Sequence, residues 1–333
     1  MGEAIPAPAA LMGMATGFVI SKAVATIAEL GIADALETGP KTAGELAALS
    51  GADARPLYRV LRSLPGFGLF AEAPETGHFS LTPLGEPLRR NHPASVRDYV
   101  LMANDTLFEA FSAFSHSVRT GERAFDHVFG RPVFAHLAAN PEKAAVFQGA
   151  MNAAYGRECD LVAETYDFSD HRLVLDVGGG NGQLLSAILT RHPHLEGILF
   201  DLEPGIANAR AGQGGPLPRC QLVAGDFFEA VPQGADLLLL KHVIHDWDDE
   251  RSVKLLDRCR HALAPGGRIV VLDAMVPPGD GFSPAKVIDL IMLAVPGGVE
   301  RTEAEFAVLF QRAGLQLETV RTLTPELSIL AAR

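Results

Sequence analysis

One stretch constrains this chain more than any other: residues 173–183, LVLDVGGGNGQ. An apolar run reaches Asp176 and then breaks into Gly178, Gly179, Gly180 and Gly182, and a helix-forming segment follows at 184–191. The pattern is a buried parallel strand, a tight glycine turn and a helix start. Glycines let the backbone take positive φ and let a ligand come close, and a helix N-terminus attracts anions. The spacing nevertheless excludes a dinucleotide fingerprint, because the third glycine of G-x-G-x-x-G falls at Gln183. An acid at that mouth repels a pyrophosphate and suits a ligand that carries an amine and a sulfonium.

From Asp167 onward, strands alternate with helices. Strands are expected at 173–177, 196–200, 221–224, 235–240 and 268–272. Helices are expected at 184–191, 205–210, 251–264 and 302–313, with a terminal antiparallel pair at 320–322 and 328–331. Repeated strand–helix units build a doubly wound α/β sheet, whose ligands bind at the carboxyl ends of the strands. Those ends carry Asp176 with Gly178 and Gly180, Asp201 with Leu202, Asp226 with Phe227, Lys241 and Asp273. Asp201 stands where an acid accepts both hydroxyls of a ribose. Asp226 can accept from an adenine amino group while Phe227 gives the base an apolar face. Lys241 can meet a carboxylate. Ribose, adenine, amine and carboxylate together describe S-adenosylmethionine.

The region before this sheet reads differently. Residues 11–30 predict one helix that is apolar on more than one face. Val19, Ala23, Ile27 and Leu30 face a core, and Met12, Met14, Phe18 and Val24 want a second partner, most economically a subunit interface. Thr42-x-x-Glu45 is a capping box, and Asp53 caps a helix bearing Leu57, Val60, Leu61 and Leu64. Two short strands follow at 69–73 and 78–81, and Thr82-Pro83 predicts a further helix start. Helix, helix and two-stranded wing make a winged-helix arrangement. DNA binding does not fit it, because residues 1–103 hold eight Lys and Arg against ten Asp and Glu. Residues 104–165 predict helices broken at Gly121, Gly130 and Asn140-Pro141, and they are rich in Phe. The expected division is therefore a winged-helix-like domain at 1–103, a helical linker and substrate-pocket region at 104–165 and a catalytic domain at 166–333.

Composition narrows the function classes. A net charge of −12 over 333 residues fits neither nucleic acid nor an anionic membrane surface. The apolar stretch at 11–30 is interrupted by Ser21, Lys22 and Glu29, which argues against a membrane span. Cys159, Cys220 and Cys259 lack C-x-x-C spacing and are expected as reduced thiols of a cytoplasmic protein.

The motifs DVGGGNG (176–182), FDLE (200–203), GDFF (225–228), LKHVIHDWDDE (240–250), APGGRIVVLDAMVP (264–277) and DLIMLAVPGGVERTEAEF (289–306) carry a resemblance. The chain resembles the small-molecule O-methyltransferases of the plant caffeate and acetylserotonin type and their bacterial natural-product relatives. The resemblance implies a class I methyltransferase, Rossmann-like doubly wound sheet with an α-helical winged-helix N-terminal domain that forms a homodimer. It implies S-adenosyl-L-methionine as cofactor, S-adenosyl-L-homocysteine as product and an aromatic acceptor hydroxyl. It places His245 as catalytic base and Glu300 and Asp273 as its flanking acids, with Asp where plant members more often carry Glu. Asp246 lies beside the base and helps hold the cofactor. Met151 and Met292 match methionines that grip the acceptor ring, and Trp247 is structural. Phe108 and Phe147, from the Phe-rich region, are candidate pocket residues.

The chemistry agrees with these roles. A phenol near pKa 10 and an imidazole near 6.5 are mismatched by about 3.5 units in water. Flanking carboxylates stabilise the imidazolium, and a nearby sulfonium favours the phenolate. His242 stands three residues before His245, but a metal needs more ligands than this pair, so no metal is expected. The alternatives are N- or C-methylation or cofactor-assisted non-methylating chemistry on the same fold, and, in a different class, a ligand-sensing DNA-binding regulator.

Overall fold

The structure, a computed structural model, describes residues 6–333. Two compact units emerge: the described residues up to Ser112 together with Phe134–Ala154, and Ala113–Val133 together with Tyr155–Arg333. The stretch 104–165, expected as a linker region, is divided between them.

In the first unit the N-terminal helix is broken in two, Ala7–Ala15 and Gly17–Glu29. The break falls at Thr16 beside Gly17, where helix propensity is poor, and the Thr16 hydroxyl donates to the Met12 carbonyl at 2.9 Å. Ile27, Ala25 and Ala28 enter the core. Val19, expected inside, is exposed along with Leu11, Met12, Met14 and Phe18. Residues Ala7–Glu29 are long and apolar enough to cross a membrane by length and composition alone.

The Thr42–Glu45 capping box forms as expected, and the Asp53 carboxylate accepts from the Arg55 amide at 2.9 Å. Strands β1 (Lys41–Thr42), β2 (Phe70–Ala73) and β3 (His78–Leu81) form an antiparallel sheet in the order β1-β3-β2. Leu46, Leu57, Leu61, Leu64, Phe70 and Phe79 pack beneath it. Thr82-Pro83 does not start the expected helix. The Thr82 hydroxyl bonds back to Gly68 and Leu69, giving a turn that leads only into the short helix Glu86–Leu88.

The second unit is the doubly wound sheet. Its strands are β4 (Leu173–Val177), β5 (Glu196–Asp201), β6 (Cys220–Ala224), β7 (Leu237–Lys241), β8 (Arg268–Asp273), β9 (Leu317–Thr324) and β10 (Leu327–Ala332). Their order is β6-β5-β4-β7-β8-β10-β9. β4 to β8 pair in parallel, and β10 is antiparallel to both β8 and β9. Leu237–Leu240 are buried on both faces, as a central parallel strand requires. The chain winds outward from β4 through β5 to β6, then restarts at β7 on the other side. A crevice at such a switch point is where this architecture binds ligands. The helix Pro284–Ala294 was not anticipated; Ser283-Pro284 at its start is a cap-then-proline signal.

Candidate active site

The switch point brings the ends of β4 and β7 together. Gly178 sits at φ 72°, and a Cβ there would come within 2.8 Å of the Val243 side chain, so the two loops meet only over glycine. Gly180, at φ 57°, has open space where its Cβ would be. Its amide donates to Asp201 Oδ2 at 2.8 Å, and the Leu202 amide donates to Asp201 Oδ1 at 2.7 Å. Burial nonetheless raises the Asp201 pKa. Asp226 Oδ1 accepts from the Phe228 amide at 2.7 Å, and the Phe227 ring lies edge-on to Trp247 with centroids 6.1 Å apart.

Asp176 is the informative member. Both its carboxylate oxygens are buried without a hydrogen-bond partner among the described residues. Burial, with Asp201 nearby, raises it to about 7. A buried carboxylate left without donors costs stability until a donor arrives. This acid, the open glycine cradle at Gly180 and Asp201 fit the adenosyl, amine-bearing cofactor that the sequence implies.

On the far side of β7 a tight turn, Ile244–Asp246, holds the buried His245. His245 Nδ1–H donates to Glu300 Oε1 at 2.7 Å, and Asp273 Oδ1 lies 3.6 Å from the same nitrogen. Asp246 Oδ1 lies 3.8 Å from Nε2. Burial opposes the imidazolium, but Asp273, Glu300 and Asp246 outweigh it and raise His245 to about 10. The Glu300 amide is fixed by Asp289 Oδ1 at 2.9 Å. The Val299 amide donates to the His245 carbonyl at 2.8 Å, and any Cβ at Gly298 would overlap that carbonyl. The double glycine is therefore what lets the Glu300 loop close on the base.

Arg301, fully buried, ties the same loops. It donates to the carbonyls of Ile244 at 3.2 Å and Trp247 at 2.8 Å, and to Asp249 at 2.8 Å. Sequence reasoning assigned it no role, although the ERT motif contains it. Glu158 was missed outright. From the helix Pro141–Thr165 it pairs with Lys241 at 3.0 Å and accepts from His242 Nε2–H at 2.8 Å. Nothing in its neighbourhood signals this, because the partner stands 84 positions away. Lys241, expected to meet a ligand carboxylate, already faces one from the chain.

His242, His245 and Asp273 bring ligand-capable atoms within 4.8 Å of one another. One nitrogen of each ring is engaged by a carboxylate, and we read the group as a charge network. Of the aromatic-pocket candidates, Met292 lies in the second unit on Pro284–Ala294. Met151, Phe108 and Phe147 belong to the first. There the Lys22 ammonium sits 3.8 Å over the Phe108 ring, and Phe147 meets Phe134 edge to face at 6.4 Å.

Comparison with known proteins shows the family and the fold. Residues 111–316 match the O-methyltransferase domain, and residues 12–90 match the O-methyltransferase dimerisation domain. The phenazine O-methyltransferase PhzM of Lysobacter antibioticus is 40% identical, over 99% of this chain and 97% of that protein. The crystal structure of LaPhzM superposes with a TM-score of 0.92 at 39% identity, covering 99% of each chain. That of NcsB1, an O-methyltransferase from neocarzinostatin biosynthesis in complex with S-adenosylmethionine and 2-hydroxy-5-methyl naphthoic acid, superposes at 0.81. It is 36% identical and covers 94% of this chain and 95% of that one.

Proposed function

The chain belongs to the S-adenosylmethionine-dependent small-molecule O-methyltransferases, and from that premise we propose that it methylates a phenolic hydroxyl of an aromatic natural product, with His245 as general base. The observation that carries this reading is the buried His245 held by Glu300 at 2.7 Å with Asp273 beside it. An ordinary imidazole is too weak a base for a phenol. Raised to about 10, His245 matches a phenol near that value, so the proton moves between partners of similar basicity.

When bound, the cofactor supplies an electrophilic methyl group on a positive sulfonium. Asp176, Gly178 and Gly180 take its amine-bearing end, Asp201 and Leu202 its ribose, and Asp226 and Phe227 its adenine. Lys241 and Asp246 border the same crevice. His245 Nε2 takes the acceptor proton, Glu300 accepts the hydrogen bond from Nδ1–H and so holds the ring, and Asp273 balances the imidazolium charge. Met292 is the proposed acceptor contact within the second unit. The printed names of the relatives, a phenazine enzyme and a hydroxynaphthoate complex, support a fused aromatic acceptor.

Incubating the enzyme with labelled S-adenosylmethionine and a panel of hydroxyphenazines, hydroxynaphthoates and aminophenols tests the proposal. O-methylated product and S-adenosylhomocysteine are expected. Methylation confined to the aminophenol nitrogen, or no transfer across the panel, would overturn it. His245→Ala is expected to lower kcat by about 10²–10⁴-fold while S-adenosylhomocysteine still binds. Undiminished turnover in that variant would remove His245 from its role.

A further inference from the structure

Glu158 is a buried acid that the scheme above does not use. It comes from the helix Pro141–Thr165 rather than from a strand end, and it lies in the second unit with both of its partners. Those partners are consecutive residues where β7 gives way to the turn that carries His245. Lys241 Nζ lies at 3.0 Å and His242 Nε2–H donates at 2.8 Å, both to the same oxygen, Oε2. An ammonium can only donate, so the carboxylate accepts. Burial raises the Glu158 pKa, and the Lys241 charge works against that rise. The Lys241 ammonium also stands 5.0 Å from the centroid of the Tyr155 ring, on the same helix as Glu158.

A buried ammonium needs a partner, and that need alone would account for the pair if no other charge stood nearby. The Lys241 charge, however, also reaches Asp176 at the end of the neighbouring strand β4, and the Glu158 charge is felt with that of His245. The pair therefore sits between the glycine loop and the base.

The order of the strands gives that position a meaning. From β6 through β5 and β4 to β7 the assigned groups run from adenine at Asp226, to ribose at Asp201, to the amine-bearing end at Asp176, with His245 just beyond Lys241. The methyl group must reach an acceptor at His245, so the sulfonium charge belongs toward the β7 end of the crevice. An uncompensated ammonium there opposes that charge. S-adenosylhomocysteine has lost it, so the same ammonium works against the substrate form of the cofactor and not against the product form.

We propose that Glu158 sets the charge state of the cofactor that the crevice prefers: by cancelling the Lys241 ammonium, it favours the sulfonium of S-adenosylmethionine over the neutral thioether of S-adenosylhomocysteine. This rests on the cofactor lying across the ends of β4 to β7 as assigned above.

Calorimetric titration of the full-length protein with S-adenosylmethionine and, separately, with S-adenosylhomocysteine tests it. No acceptor is present, so nothing turns over, and the readout is the ratio of the two Kd values. Glu158→Gln keeps the shape and removes the charge. It should raise the Kd for S-adenosylmethionine relative to that for S-adenosylhomocysteine by about threefold to tenfold. Any contact that Lys241 makes with the cofactor carboxylate is common to both ligands and drops out of the ratio. Glu158→Gln combined with Lys241→Met removes both charges and should return the ratio to within about twofold of the parent. Glu158→Met takes the place of Glu158→Gln if the amide prevents folding, and melting temperatures are recorded in parallel. An unchanged ratio in the single variant, even with both affinities weakened and a lower melting temperature, would mean that Glu158 only secures Lys241 in the fold. That result would overturn the proposal, as would a raised ratio that persists in the double variant. Failure of the cofactor assignment looks different: Asp201→Ala would then bind both ligands as the parent does. Failure of the base assignment leaves the ratio untouched.

Discussion

Two side chains at the strand ends carry charge states far from their ordinary ones, and each has a measurable consequence. Asp176 is raised by burial and by Asp201, from an ordinary value near 4 to about 7. The folded state therefore holds a proton that the unfolded chain releases, so this residue lowers stability as pH rises from about 4 to about 7 and has no further effect above. Without cofactor, Asp176→Asn should melt several degrees higher than the parent at pH 8 and similarly at pH 4. The same variant should bind S-adenosylmethionine more weakly and lose the tightening that the parent shows between pH 6 and 8. Equal affinities across that range in the parent would exclude Asp176 as the partner of the cofactor amine. For His245 the sign is opposite. Its folded value of about 10 stabilises the fold fully below about 6.5, and this is lost as pH passes 10. Its catalytic counterpart is a kcat/KM that climbs from pH 7 toward pH 10 for a weakly acidic phenol. In Asp273→Asn one of the raising charges is gone, so that limb should move to lower pH while kcat falls.

At the scale of elements, the proposed base His245 is held by a loop closed over it, and closure depends on residues outside the proposed site. The Val299 amide reaches the His245 carbonyl at 2.8 Å because Gly298 has no side chain to block it. Gly298→Ala should therefore push the Glu300 loop outward and lower kcat more than it lowers cofactor affinity. Single-turnover rates beside a cofactor titration would show it. Arg301 ties the same turn to Asp249 from a fully buried position. Arg301→Leu leaves the carbonyls of Ile244 and Trp247 without this donor and should cost about 1–3 kcal/mol for each carbonyl left unsatisfied, read by denaturant unfolding. Lys at this position restores the charge but not the fork that reaches several acceptors at once. Much of this was legible in the sequence: the ends of β4, β5, β7 and β8 fell within a residue or two of their expected places, because buried parallel strands are short apolar runs with polar punctuation. The break at Thr16, the absent helix after Pro83 and the extra helix Pro284–Ala294 were not. Each turns on local hydrogen bonding or on packing that pattern alone does not carry.

For the molecule as a whole, the exposed apolar residues gather at the N-terminus. Leu11, Met12, Met14, Phe18 and Val19 are all more than half exposed in one chain, and all but Leu11 lie inside the segment, residues 12–90, that matches a dimerisation domain. A face of this kind needs a partner surface, and a second copy of the chain supplies it. Phe18→Asp combined with Met14→Asp should shift the sedimenting species from dimer to monomer. A dimer of undiminished stability in that double variant would place the interface elsewhere.

The sequence by itself determined the sheet and the cofactor class, and it singled out His245 as the proposed base with Glu300 and Asp273 as its proposed acids. Strand periodicity, glycine spacing and the HDW and ERT motifs are local patterns that survive without coordinates. Only the tertiary structure decided what surrounds those groups: that Asp176 is buried without a donor among the described residues, that Arg301 laces the loops and that Glu158 pairs with Lys241 and reaches His242 across 84 positions. Electrostatics depends on distance and burial in space. Neither is written in the order of residues along the chain.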